Sequence, residues 1–299
     1  MTDAAPTGIL LVDKPGGVTS HDVVGAARRA LGTRKVGHAG TLDPMATGLL
    51  ILGVGTATRL LTYLVGLDKT YAATIRLGES TTTDDAEGET VTRSDASGLD
   101  RAAIDAGISA LTGELDQVPS TVSAIKVDGR RAYARVRDGE DVQLAPRRVT
   151  VSRFDVLAER RGDGVVDLDV IVDCSSGTYI RALARDLGAG LGVGGHLTAL
   201  RRTAIGPFPI PDAVPVDAIG PSALRTPASI ATALYPALEL DDEQAAALAD
   251  GKRIPATAPD APVVAALHRG RLTGLVAVAD GVARVVVNFP PAPAGSVGP

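Results

Sequence analysis

The residues best suited to chemistry stand in one short run, Gly37-His38-Ala39-Gly40-Thr41-Leu42-Asp43-Pro44. A single carboxylate, Asp43, sits in a small-residue loop. The aliphatic stretch Leu49-Leu50-Ile51-Leu52 follows at once. Gly37, Gly40 and Gly48 allow close backbone approach and unusual dihedrals. Pro44 drives Asp43 out of helical space and towards an extended conformation. The acid is thus presented on a rigid turn at the lip of a buried strand. Two readings follow: a turn-capping Asp before proline, or a half-buried anion that serves as a nucleophile.

Rival chemistries can be tested on spacing. A P-loop needs Gly-x-x-x-x-Gly-Lys-Ser/Thr, and none is present. Asp68-Lys69-Thr70 begins like an aspartyl-phosphate motif, but Tyr71 stands where glycine should follow. Asp43-x-x-x-Thr47 has Met45 where a second acid would assist. A glycosidase wants two carboxylates flanking a bond, and no second acid lies near Asp43 in sequence, although folding could supply one.

Composition narrows the class. The chain has 299 residues, enough for one large domain or two ordinary ones. At 45% hydrophobic and 22% charged it has a globular balance. Its single cysteine, Cys174, allows neither an internal disulfide nor a thiolate metal cluster. The four histidines (His21, His38, His196, His268) lack ligand spacing. The start MTDAAPTG has neither the basic nor the apolar region of a signal peptide, and no apolar run reaches bilayer length. A cytoplasmic protein with no membrane contact is expected.

Net charge is −5, which by itself speaks against a nucleic-acid partner. The charge is segregated, however. Residues 76–116 carry ten acids against three arginines; residues 121–150 carry seven bases against four acids. Paired bases recur at Arg28–Arg29, Arg34–Lys35, Arg147–Arg148, Arg160–Arg161 and Arg201–Arg202. A segregated field can hold a polyanion on one face of an acidic protein.

These residues need a scaffold. Residues 8–12 read as a buried strand closed by the turn DKPGG. Ser20 can cap a helix over 21–31, with Val24, Ala27 and Leu31 inward and Gly32 as the stop. Strand 48–54 is apolar throughout, hence buried on both faces. Residues 57–65 look helical, and 69–77 alternate as a strand. The polar stretch 78–98 reads as a loop or two short edge strands. Residues 100–112 fit a helix. The basic, aliphatic-poor segment 118–149 reads as protruding and mobile. Strands 150–158 and 165–173 flank the turn RRGDG. Ile180, Leu183, Ala184 and Leu187 form one helical stripe. Prolines between 207 and 227 mark a connector, and 236–290 suit a small β-rich module with a helix over 241–250. The tail PPAPAGSVGP reads as disordered.

At this point an ordered set of motifs carries a resemblance. The Gly37–Pro44 run with Ala46, Gly48, Leu49 and Leu50 resembles the catalytic motif of the TruB family of tRNA pseudouridine synthases. Leu11-Val12-Asp13-Lys14-Pro15 with Gly17 resembles the family's opening strand and turn. Lys69-x-Tyr71 with Leu77-Gly78 resembles its second motif, and Thr81, Thr83, Asp85 and Gly88 its following polar loop. Pro119, Ser123-Ala124, Lys126-Val127, Gly129, Arg131 and Tyr133 resemble its insertion. Gly177-Thr178-Tyr179-Ile180-Arg181, Asp186-Leu187-Gly188 and Leu200-Arg201-Arg202 resemble its last two motifs. The likeness runs in order over about residues 8–208.

The resemblance implies an α+β fold, a mixed and mainly antiparallel sheet with helices on its faces. It divides the chain into a catalytic domain, 1–235, with an RNA-clamping insertion, 118–149. A small β-rich domain, 236–292, resembles a PUA module, and a tail, 293–299, follows. It implies isomerisation of uridine-55 in the T-loop of tRNA to pseudouridine, with no cofactor and no metal. Asp43 aligns with the nucleophile and Arg181 with its cationic partner. Tyr71 aligns with the residue that stacks on the flipped base, an interaction worth ~1–3 kcal/mol. Tyr179 and Leu200 align with the other walls of the uracil pocket. His38 aligns with the residue that replaces the expelled base, and Lys14 supports the site through its charge. Arg130, Arg131, Arg147, Arg148 and Arg202 would meet RNA phosphates. The expected partner is the T-arm of tRNA, bound by a monomer without a guide RNA. A guide-dependent relative resembling dyskerin and a non-catalytic tRNA binder are the alternatives.

Overall fold

The computed structural model describes residues 6–120 and 145–290, with the backbone alone at 126–127 and 130–131. Strand β1 (Gly8–Lys14) is buried along almost its whole length, as its unbroken aliphatic run requires. Helix α1 (Ser20–Ala30) follows, with Val23, Val24 and Ala27 inward and Gly32 at φ 61° past its end. Its cap is Thr19 rather than the expected Ser20. Thr19 Oγ1 accepts from the Asp22 N–H, and the Asp22 carboxylate accepts from the Thr19 N–H. Ser20 is thereby left for another task.

Strands β2 (Val36–Ala39) and β3 (Thr47–Val54) flank the Asp43 loop. The helix expected over 57–65 is a 3₁₀ turn, Gly55–Leu60, running into the short helix α2 (Leu61–Val65). Strand β4 (Lys69–Leu77) alternates strictly between buried and half-buried residues. The polar stretch holds two short antiparallel strands, β5 (Glu79–Thr81) and β6 (Thr90–Arg93). Helix α3 (Arg101–Ala110) is capped by Asp100. Strand β7 (Gly113–Gln117) precedes the insertion, of which β8 (Lys126–Val127) and β9 (Arg130–Arg131) are described. Most of the segment expected to be mobile lies outside the described residues.

Strands β10 (Arg147–Gly162) and β11 (Val165–Cys174) are joined through Asp163 and Gly164, both at positive φ, the conformation a two-residue hairpin turn demands. Then come helix α4 (Ile180–Gly190) and strand β12 (Gly195–Ile205). The proline-rich connector forms β13 (Phe208–Pro209), β14 (Val214–Pro215) and helix α5 (Pro227–Leu234). The C-terminal module comprises β15 (Ala237–Glu239), α6 (Asp242–Ala249), β16 (Ile254–Pro255), β17 (Ala261–His268), β18 (Arg271–Ala279) and β19 (Val282–Asn288).

The chain divides into two compact units. The first comprises Met1–Asp43, Leu49–Val65 and Pro207–Pro299. In it β14 runs parallel to β1, β1 neighbours β3, and β2 pairs antiparallel with β3. Helix α1 covers this sheet through Val23, Val24 and Ala27, packed with Leu10, Val12, Leu50 and Leu52. The C-terminal sheet, in the order β15-β17-β18-β19-β16, has its own core of Leu248, Val264, Val276 and Val278. It groups with the N-terminal strands in the first unit.

The second unit comprises Pro44–Gly48 and Gly66–Gly206. Its strands run in the order β12-β4-β11-β10-β7, each antiparallel to its neighbour, and the first residues of β3 add a parallel edge to β12. This approach requires a glycine. Gly48 has φ 100°, and a Cβ there would lie 2.2 Å from the Arg202 carbonyl oxygen. The observed architecture is α+β with a mixed, mainly antiparallel sheet, as expected.

Strand pairing brings the ends of the acidic and basic stretches together. Strand β7, at the end of the acidic stretch, pairs with β10, at the end of the basic one. Arg160 is ion-paired with Asp169, and Arg161 with Glu159. That pair of arginines is neutralised within the sheet. Among the described residues no helix is long and apolar enough to cross a membrane.

Candidate active site

The Asp43 loop is built in the first unit. The Ser20 hydroxyl accepts from the Leu42 N–H at 2.9 Å and donates to the Leu42 carbonyl at 3.1 Å. Both residues are buried. One side chain thus fixes both main-chain groups of the residue before Asp43, and Asp43 itself emerges half-buried. Gly40, at φ 86°, makes the bend that leads in. His38 lies on β2, half-buried, with its ring edge-on to His21 at 5.7 Å. Lys14 is fully buried; its ammonium donates to the carbonyls of Pro15 at 2.9 Å and Val18 at 2.7 Å, bracing the turn after β1.

The second unit supplies one face of a sheet. Tyr71 on β4 stands opposite Val172 and Arg202, and Ala73 stands opposite Val170 and Leu200. Directly paired residues share a face of the sheet. Tyr71, Leu200 and Arg202 are therefore gathered on one inward side, and all three are buried. Arg202, expected on an RNA phosphate, is 1% exposed, and its register with Tyr71 turns it inward.

Lys69 lies on the same face, two residues before Tyr71, and donates to the Leu67 carbonyl at 2.5 Å. Burial, aided by the charge of Arg202, pulls its amine down to about 8. Cys174, its cross-strand neighbour, is pushed up to about 11, chiefly by burial.

The start of α4 holds the remaining residues. Gln117 at the end of β7 grips the Tyr179 backbone twice: its Oε1 accepts from the N–H at 2.8 Å and its Nε2 donates to the carbonyl at 3.0 Å. Arg181 is 4% exposed. Its Nη1 donates to the Thr83 carbonyl at 2.9 Å and to Asp85 Oδ2 at 3.2 Å. Asp85 is held in turn by Thr83 Oγ1 at 2.5 Å and the Glu87 N–H at 3.1 Å. The polar loop that carries it is latched to β12 by the Leu197 N–H, which donates to the Asp84 carbonyl. Arg185 pairs with Asp84 at 3.3 Å, yet burial is the larger effect and raises the Asp84 carboxyl.

Of the arginines expected on RNA phosphates, Arg147 and Arg148 are exposed at the start of β10. Arg148 is ion-paired with Glu114 and Asp116. The side chains of Arg130 and Arg131 lie outside the described residues.

Sequence reading singled out Asp43, Tyr71, Tyr179, Arg181 and Leu200 as candidates but missed what holds them. Ser20 was read as a cap, Gln117 was not singled out, and Asp85 was noted without its partner. Asp85 alone carried a signal, an acid inside a Thr-rich turn. The result is a half-buried carboxylate on a pinned loop in one unit. The other unit presents an aromatic ring, an apolar wall and a buried guanidinium held by a second carboxylate. Such groups suit a nucleophilic carboxylate, a planar unsaturated substrate and a fixed cation.

Comparison with known proteins agrees. Residues 28–180 match the model of the TruB family pseudouridylate synthase N-terminal domain, and residues 181–236 match the tRNA pseudouridylate synthase B C-terminal domain. A protein of Arthrobacter sp. (strain FB24) named tRNA pseudouridine synthase B is 56% identical over 297 residues, 95% of this chain and 97% of that protein. One of the same name from Corynebacterium efficiens is 59% identical over 249 residues, 82% and 84% of the two chains. Among solved structures, an archaeal box H/ACA sRNP Nop10–Cbf5 complex matches with TM-score 0.70 at 24% identity, covering 97% of this chain and 88% of that one, a likeness of fold. The chain belongs to the TruB family of pseudouridylate synthases, which are isomerases.

Proposed function

We propose that the protein converts uridine-55 in the T-loop of tRNA to pseudouridine, acting alone, with Asp43 as nucleophile and without a cofactor. The observation that carries this is the near-full-length identity to proteins named tRNA pseudouridine synthase B. The reaction breaks the C1′–N1 bond, turns the uracil and forms a C1′–C5 bond; the proton lost from C5 is balanced by one gained at N1, so the composition of the nucleotide is unchanged. The target base is flipped out of the loop. Tyr71 stacks on it, Tyr179 and Leu200 wall it in, and His38 takes the space it leaves. Arg181 pairs with Asp43 and keeps that carboxylate ionised where burial alone would protonate it. Asp85 supports this reading: a buried acid already orients the guanidinium. Lys14 holds the neighbouring turn. Arg130, Arg131, Arg147 and Arg148 meet the RNA backbone, and the C-terminal sheet, PUA-like in role, contacts the acceptor side of the tRNA.

The test uses a T-arm transcript labelled with tritium at uridine C5. Release of tritium by the purified protein, with no other RNA added, is the expected result. Turnover that required a guide RNA would favour the guided branch instead. Asp43→Asn should bind the transcript and release nothing; turnover by that variant would remove Asp43 from its role.

A further inference from the structure

The acidic and basic segments meet at the β7–β10 edge of the second unit. Arg148 Nη2 lies 2.6 Å from Glu114 Oε2, and its Nη1 lies 3.4 Å from Asp116 Oδ2. All three side chains are about two-thirds exposed. Ion pairs this exposed add little to stability. The edge does not depend on them, because five consecutive residue pairs from Arg147↔Gln117 to Val151↔Gly113 already join the strands. Two carboxylates nonetheless converge on one guanidinium, each reaching a different nitrogen. A guanidinium offers a phosphate the same planar set of donors it offers a carboxylate. A phosphate arriving here must displace two anions and then sit beside them.

We propose that Glu114 and Asp116 are positioning residues that hold Arg148 in an internal ion pair and yield it only to the backbone phosphate of a well-seated RNA. The pair acts as a brake on loosely matched RNA and so sharpens substrate choice. This rests on the proposed tRNA substrate. It also gives two of the ten acids of residues 76–116 a function in a protein whose partner is a polyanion.

The test compares wild type with Glu114→Gln/Asp116→Asn by fluorescence anisotropy, using a T-arm hairpin and an unrelated hairpin of equal length. In ~0.1 M salt the double variant should bind both RNAs about 3- to 10-fold more tightly, with the larger factor for the unrelated one. For the unrelated hairpin its plot of log affinity against log salt should steepen by about 0.7–0.9, the equivalent of one more phosphate contact, whereas the slope for the T-arm hairpin, which already takes Arg148 in wild type, should change less. The gain should vanish when Arg148→Ala is added. Asp105→Asn, which removes the nearer of the two acids paired with Arg101 on α3, should leave the slope unchanged. If the double variant melts early, Glu114→Gln alone gives a fraction of the same shift. Unchanged affinity and slope, or a gain that survives Arg148→Ala, would overturn the proposal. Wild type that turns over the transcript while the variant shows no gain sinks this inference alone. Wild type that neither binds nor turns over sinks it together with the assigned substrate.

Discussion

Ser20 holds Leu42 by both of its main-chain groups, at 2.9 and 3.1 Å, across 22 residues of sequence. Backbone hydrogen bonds in a loop have no ladder to satisfy them. Here one hydroxyl does so, immediately before the candidate nucleophile. Ser20→Ala leaves a buried N–H and a buried carbonyl without their partner, at a cost of about 1–3 kcal/mol. It also frees Asp43 to drift, and misplacement by about 1 Å can cost on the order of 100-fold in rate. Urea unfolding and tritium release should both fall; a variant with unchanged turnover would show that the clamp does not set the Asp43 position.

Asp85 and Arg181 form a buried ion pair in the second unit. Removing one member strands the other in a dry environment, which costs about 3–5 kcal/mol, whereas replacing both with apolar residues is far milder. Asp85→Ala should therefore be less stable than Asp85→Ala/Arg181→Met, although the double variant has lost more contacts. Both should be inactive. The order of their unfolding midpoints checks the claim, and a double variant less stable than the single one contradicts it.

The regular elements of this fold were legible because their side-chain periods are clean. Strand β4 alternates without a break, and α4 carries one apolar stripe. Strand β12 was recognised only as a motif, since register shifts at 197/199 and 202/204 interrupt its alternation. The same shifts hide the inward turn of Arg202, which looks like half of a basic surface pair. The candidate site residues stood out through ordered motifs. Their supports did not, because Ser20, Gln117 and Asp85 act on partners 22, 62 and 96 residues away. No local pattern encodes a contact of that span; it exists only once the sheet has set its register.

Gly48 shows how little room the register leaves. It combines a left-handed φ of 100° with a position where a Cβ would lie 2.2 Å from the Arg202 carbonyl oxygen. Alanine must strain its own backbone and push β3 away from β12. Gly48→Ala should lose several kcal/mol of stability, more than the ~1–2 kcal/mol that a left-handed φ alone costs an L-residue. Thermal melting reads the loss. A melting temperature equal to wild type would mean that the strands separate without penalty.

Lys69 and Cys174 face each other across β4 and β11 and predict opposing pH effects. The Lys69 amine titrates near 8 when folded against 10.5 for the free side chain, mainly because burial disfavours its charge. Between those values the unfolded chain binds the extra proton, so stability rises with pH. The Cys174 thiol titrates near 11 when folded against 9.0, again through burial. From pH 9 upward the folded chain keeps the proton that the unfolded chain releases, so this group makes stability fall. The window from pH 8 to 9 therefore belongs to Lys69, with a rise on the order of 1 kcal/mol. Lys69→Met should abolish that rise and stabilise the protein most below pH 8, where wild type carries the full cost of the buried charge. Cys174→Ala should instead remove the decline above pH 9. Urea midpoints at pH 7.5, 9 and 10 for the three proteins separate the two groups, and a Lys69→Met variant whose pH profile parallels wild type would show that the amine does not titrate there.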